Sequence, residues 1–154
     1  MKKLLFFSFL LLCCVTAVQA QQDKSQRPSP PATLTTNVDG LNLKIDYSQP
    51  AVKGRTIGKD IAPYGKVWRT GANEATTFTV DRDVMVEGKE LKAGTYTLFT
   101  IPGEEEWTII FNKKTGQWGT QYDEAQDALR VNVKPAKAPS FSERLTFSQD
   151  NGAV

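Results

Sequence analysis

TLTTNVDGLNLKIDY, Thr33 to Tyr47, is two strand-like runs set around Asp39-Gly40. Asp-Gly between alternating runs is a strong signal for a two-residue type I′ hairpin turn. On its far side Leu41, Leu43, Ile45 and Tyr47 alternate with Asn42, Lys44 and Asp46. A period of two puts the apolar set on one face of a strand and the polar set on the other. One buried face and one wet face is the pattern of an antiparallel sheet.

The pattern recurs outward from this hairpin. ATTFTVDRDVMVEGKEL, from Ala75, alternates Phe78 and Val80 with threonines, and Val84 and Val86 lead into a Glu87-Gly88 turn. LKAGTYTLFTIPG, from Leu91, places Tyr96 two residues after Gly94, which matches the tyrosine corner of Greek-key sandwiches and gives Tyr96 a structural role. Further strands are expected at EWTIIFNKK, LRVNVKP and FSERLTF, with one helical turn over Asp123 to Ala128. Many short strands separated by Gly and Pro turns, with no long helix, read as all-β: an antiparallel, Greek-key-like β-sandwich with long irregular loops. Ser48 to Gly71 is the longest of these loops, and Lys113 to Tyr122 is a second. Apolar Ile57, Ile61, Val67 and Trp68 suggest that the first packs on the body. The end of the chain, LTFSQ-DNG-AV, reads as a strand, an Asn151-Gly152 turn and the start of a partner strand, as in a C-terminally truncated domain.

Residues 1–20 read differently. Lys2 and Lys3 precede an apolar run from Leu4 to Val15, and Val18-Gln19-Ala20 sets small residues at the −3 and −1 positions of a cut before Gln21. This is the pattern of a secretory signal peptide, with an apolar run short of the ~20 residues that span a bilayer. The protein is therefore expected to be exported, periplasmic or extracellular, with no membrane span after cleavage. Residues 21–32, QQDKSQRPSPPA, are polar and proline-rich, as in a disordered linker. Residues 33–154 form one β-sandwich domain.

Cleavage removes Cys13 and Cys14, the only cysteines, and the chain has no histidine. Thiolate and imidazole chemistry are thereby excluded: no Cys nucleophile, no Ser-His-Asp triad, no Cys/His zinc site. No cofactor and no metal are expected, since no Asp-rich loop offers the oxygens that a hard cation needs. Loss of Lys2 and Lys3 also brings 19 basic residues to 17, equal to the 17 acidic ones. A neutral mature chain gives no argument for nucleic acid.

SPPAT at Ser29, YSQPAVKGR at Tyr47, YGKVWRTGANEAT at Tyr64, GKELKAGTYTLFTIPG at Gly88, WTIIFNK at Trp107 and QWGTQYD at Gln117 follow one another in order. Together they resemble the landmarks of a secreted bacterial family, domain of unknown function 2911, common in Bacteroidetes. The resemblance covers nearly all of the mature chain. It implies an exported β-sandwich, with further C-terminal strands in other members, and no established activity.

The candidate site residues are Arg55, Trp68, Arg69, Asn73, Glu74 and Trp118, in the two irregular loops. Arg offers a planar fork for carboxylate or phosphate. Trp118 suits stacking on a sugar face, and Trp68 suits either a site or a core edge. A small polar ligand, sugar or organic anion, or a cell-envelope partner is the expected occupant. Alternatively, Glu74 pairs internally with Arg55 or Arg69 and locks its loop, as in a purely structural envelope module. A third reading is a carboxylate-dependent glycan hydrolase using Glu74, Asp123, Glu124 or Asp127, since that chemistry needs only two acids.

Overall fold

The computed structural model describes residues 23–149. The signal peptide and the Asn151-Gly152 turn lie outside the described residues.

The hairpin signal at Asp39-Gly40 closes as expected. Both residues have positive φ, 50° and 80°, the mirror-image turn that matches strand twist. It joins β1 (Pro31–Val38) to β2 (Leu41–Ser48), which pair antiparallel from Pro31 opposite Ser48 to Val38 opposite Leu41. The long loop then leads to β3 (Thr77–Val80). A small hairpin, β4 (Val84–Val86) and β5 (Lys89–Leu91), turns at Glu87-Gly88, again with positive φ at both. The chain continues through β6 (Gly94–Ile101), β7 (Trp107–Asn112) and β8 (Asp127–Val133).

One antiparallel sheet holds six of these strands in the order β1-β2-β3-β6-β7-β8, and β4-β5 is a separate two-stranded sheet. The fold is all-β and antiparallel. Sheet neighbours are chain neighbours except at β3 and β6, which pair across the inserted β4-β5 hairpin, and the two antiparallel sheets are consistent with the expected all-β sandwich.

The first face of the large sheet carries the main core. Leu43, Ile45, Phe78, Val80, Leu98, Phe111 and Val131 are all buried there. Phe78 and Phe111 meet edge to face at 5.1 Å, a geometry that adds to simple area burial. Tyr96 donates from its hydroxyl to Lys92 O at 2.9 Å, four residues upstream, which is the tyrosine corner. The second face is wet over β1 and β2 but buried over β6 and β7. There Phe99 and Ile110 are 1% and 0% exposed, beneath the two irregular loops. Continuous burial of Tyr96 to Thr100 follows from this double cover.

Two segments depart from expectation. Asp23–Ala32, read as a disordered linker, is laid against the body. Pro31 and Ala32 belong to β1, Lys24–Gln26 is a 3₁₀ turn capped by Asp23, and Arg144 Nη1 donates to Pro28 O at 3.0 Å. A low apolar content leaves out this kind of ordering, in which backbone carbonyls and charges meet fixed partners. FSERLTF, expected as a strand, makes only one bridge, Arg144 to Ala51. Ser142 and Thr146 turn their hydroxyls back onto Arg144 O, local bonds that compete with a ladder. The segment crosses the core face instead, where Phe147 packs edge-on against Tyr47 at 4.8 Å.

Candidate functional site

The two irregular loops are joined to each other. Gly119 N donates to Asn73 O at 3.0 Å and Ala75 N to Gln117 O at 3.2 Å, around a bridge between Glu74 and Trp118. Three of the candidates, Asn73, Glu74 and Trp118, therefore meet through backbone. The junction is tight. A Cβ on Gly119 would lie 2.9 Å from Arg69 Cδ and 3.1 Å from Asn73 O, so a larger residue there must shift the Arg69 side chain and press on the Asn73 carbonyl.

Asn73 holds positive φ, 58°, and its Nδ2 donates to Ser29 O at 3.0 Å. Asn is among the few residues that tolerate this backbone. Glu74 is gripped by the segment preceding β1. Arg27 Nη1 lies 3.0 and 2.9 Å from its two carboxylate oxygens, and Lys24 Nζ 3.0 Å from Oε1. Its own backbone N–H, and then Lys24 and Arg27, draw the Glu74 carboxyl down to about 2, against an opposing effect of burial. The expected internal pairing of Glu74 is thus present with other cations than Arg55 or Arg69.

Those two arginines have no acid partner among the described residues. Arg55 wraps its own turn, donating from Nη2 to Ala51 O at 2.7 Å and from Nε to Val52 O at 3.2 Å. It does not join the other candidates. Arg69 donates from Nε to Gly71 O at 3.2 Å and borders a shallow cleft of about 370 Å³ with Val67, Trp68, Phe99, Gly119, Thr120 and Tyr122. Trp68 borders this cleft beside Arg69 and also reaches the other face of the sheet. Trp68 exchanges backbone hydrogen bonds with Thr100 at 2.7 and 3.0 Å and lines, with Thr100, an apolar cleft on the first face. Arg69 falls on the second face over Phe99. Arg69 shares the cleft with Phe99 and Tyr122.

The floor of this cleft is rigid. Phe99 and Tyr122 pack edge to face at 4.9 Å. Tyr122 donates to Asp127 Oδ2 at 2.7 Å and accepts from Arg130 Nη2 at 2.6 Å. Burial, and then the Asp127 carboxylate, push its hydroxyl up to about 12, so Tyr122 stays neutral. Asn112, fully buried, donates to both Asp123 O and Asp127 Oδ1 and accepts from Lys114 N, fixing the second loop from below. Thr70, next to Arg69, sits at φ 50°, strained for a β-branched residue. Its Oγ1 bonds to Thr100 Oγ1 and its carbonyl accepts from Thr76 Oγ1, which hold it there. Such over-determined strain costs about 1–3 kcal/mol and clusters at functional sites.

Residues 29–153 match the family model described as "Protein of unknown function (DUF2911)". The chain belongs to that family. Comparison with curated proteins and with solved structures gives no match. The DUF2911 span contains both loops of the cleft and the β6 residues under them. Lys24 and Arg27, which hold Glu74, precede it.

The acids considered for hydrolysis all have protein partners. Asp127 serves Asn112, Tyr122 and Arg130; Glu124 meets Arg130 at 3.0 Å; Asp123 caps the 3₁₀ turn at Glu124–Gln126. Among the described residues no three acids are grouped to hold a metal, and no helix is long and apolar enough to cross a membrane. Sequence reasoning missed Phe99, Tyr122 and Gly119. Tyr122 stood in the QWGTQYD landmark; Phe99 looked like an ordinary core residue of its strand.

Proposed function

We propose that this DUF2911 chain is an exported binding module that holds a small polar ligand, a sugar or organic anion, in the cleft over Phe99. One observation carries the reading: Glu74, the nearest acid in sequence to Arg69, is committed to Lys24 and Arg27, so the Arg69 guanidinium borders the cleft without a carboxylate partner among the described residues. Guanidinium forks recognise carboxylates through paired hydrogen bonds. Aromatic walls and a volume of about 370 Å³ fit the lower end of small-molecule sites, about 300–1,000 Å³. Half-exposed Trp118, 46% accessible on the adjoining loop, adds a flat surface of the kind that sugars stack on. The signal-peptide pattern supports a place outside the cytoplasm.

A thermal-shift screen against monosaccharides, sugar acids and short dicarboxylates tests this. Stabilisation of the wild-type protein by an anionic member, lost in Arg69→Ala at unchanged basal melting temperature, is the expected result. An Arg69→Ala protein that responds to the same compounds as wild type refutes the site.

A further inference from the structure

The side chains around the Arg69 cleft narrow the class of ligand it takes. Arg69 spends Nε on Gly71 O, and its two Nη groups make no hydrogen bond to any described residue. A guanidinium only donates. The Tyr122 hydroxyl is used twice, donating to Asp127 Oδ2 and accepting from Arg130 Nη2. Asp127 itself is only 12% exposed and serves Asn112, Tyr122 and Arg130, so it offers the cleft no free acceptor. Among the bordering side chains, only the exposed Thr120 hydroxyl has an oxygen to spare.

That inventory is poorly matched to a sugar. A monosaccharide carries several hydroxyls, each a donor as well as an acceptor. Donors that lose water without finding an acceptor cost binding energy. Trp118, the surface a sugar could stack on, does not border the cleft. What does border it is apolar or aromatic: Val67, 40% exposed, with Trp68, Phe99 and the partly exposed ring of Tyr122. One guanidinium fork beside aromatic walls is complementary to a flat apolar body with a single carboxylate. A volume of about 370 Å³ suits one ring with a short arm.

On the footing that this cleft is the ligand site, we propose that its ligand is an aromatic carboxylate. The carboxylate spans the two Nη groups of Arg69, and the ring lies against Tyr122 and Val67.

Titration calorimetry with phenylacetate, 2-phenylethanol, glucuronate and succinate tests this. Phenylacetate should bind at least about tenfold more tightly than glucuronate or succinate, through burial of its ring. It should also exceed 2-phenylethanol, which lacks the charge, by at least about tenfold. Val67→Asp alters an exposed side chain and gives Arg69 a carboxylate of its own. It should melt like wild type and lose at least about tenfold in affinity for phenylacetate, as should Arg69→Ala. Glucuronate or succinate binding as tightly as phenylacetate, and still lost in both variants, overturns the aromatic assignment but keeps the site. Equal binding of 2-phenylethanol overturns the carboxylate. Phenylacetate binding that is unchanged in both variants, or no binding of any of the four compounds, overturns the site together with the proposal.

Discussion

Arg27 grips both carboxylate oxygens of Glu74, at 3.0 and 2.9 Å, across 47 positions of chain. The contact fastens the segment before β1 to the loop that carries the candidate site. It also settles which cation Glu74 serves, and so leaves Arg69 to the cleft. Because the pair is part-exposed, its energy is modest. Arg27→Ala and Glu74→Ala should each lower stability by ~0.5–1 kcal/mol, with a coupling of similar size in the double-mutant cycle, read by urea unfolding.

The same pair gives a pH signature. Glu74 titrates near 2 in the folded protein, below its ordinary 4.5. Its contribution is therefore fully present above about pH 5 and fades as pH falls from 5 toward 2. Since the side chain is 44% exposed, screening limits the effect to ~1 kcal/mol. The stability difference between wild type and Glu74→Gln should shrink toward zero over that window, and should shrink with added salt at pH 7. A difference that is constant with pH contradicts the assignment.

Asn112 should be the most sensitive polar position. Its buried amide satisfies Asp123 O, Asp127 Oδ1 and Lys114 N together. Asn112→Ala strands those groups, and a loss of about 2–4 kcal/mol is expected in chemical denaturation. Quenching of tryptophan by acrylamide should rise in the same variant, as the loop bearing Trp118 loosens.

Tyr96→Phe isolates a single bond. The ring stays in place and only the hydroxyl bond to Lys92 O is lost. A drop of about 1 kcal/mol in unfolding free energy is expected, with ligand binding unchanged.

Gly119→Ala acts where the loops meet. The added methyl crowds Arg69 Cδ and Asn73 O, and relief means shifting the Arg69 side chain. A destabilisation of about 1–3 kcal/mol is expected, with weakened binding at the cleft, because Arg69 is the group displaced. Wild-type binding in this variant argues against the cleft.

Much of the fold was legible because its signals are local. Asp39-Gly40 and Glu87-Gly88 each demand positive φ, and alternation in Leu41 to Tyr47 marks a half-buried strand. The site was less legible, because its parts are joined by sheet register. Phe99 reaches the cleft only because loops cover the second face of β6, and Tyr122 because Asp127 and Arg130 orient it. Glu74 was rightly suspected of an internal pair, but its partners sit in a segment whose composition resembles a free linker. Trp68 borders the cleft with Arg69, but its bridge to Thr100 also gives it a place on the apolar cleft of the first face, which adjacency in sequence does not reveal.

The proposed site divides two roles: Glu74 holds the segment before β1, and Arg69 borders the cleft proposed to take the ligand. Titration calorimetry with one anionic compound from the thermal-shift screen, on wild type, Arg69→Ala and Glu74→Ala, tests it most directly. Arg69→Ala should lose at least about tenfold in affinity, while Glu74→Ala should bind like wild type despite its lower stability. Equal losses in the two variants, or undiminished binding by Arg69→Ala, contradict it.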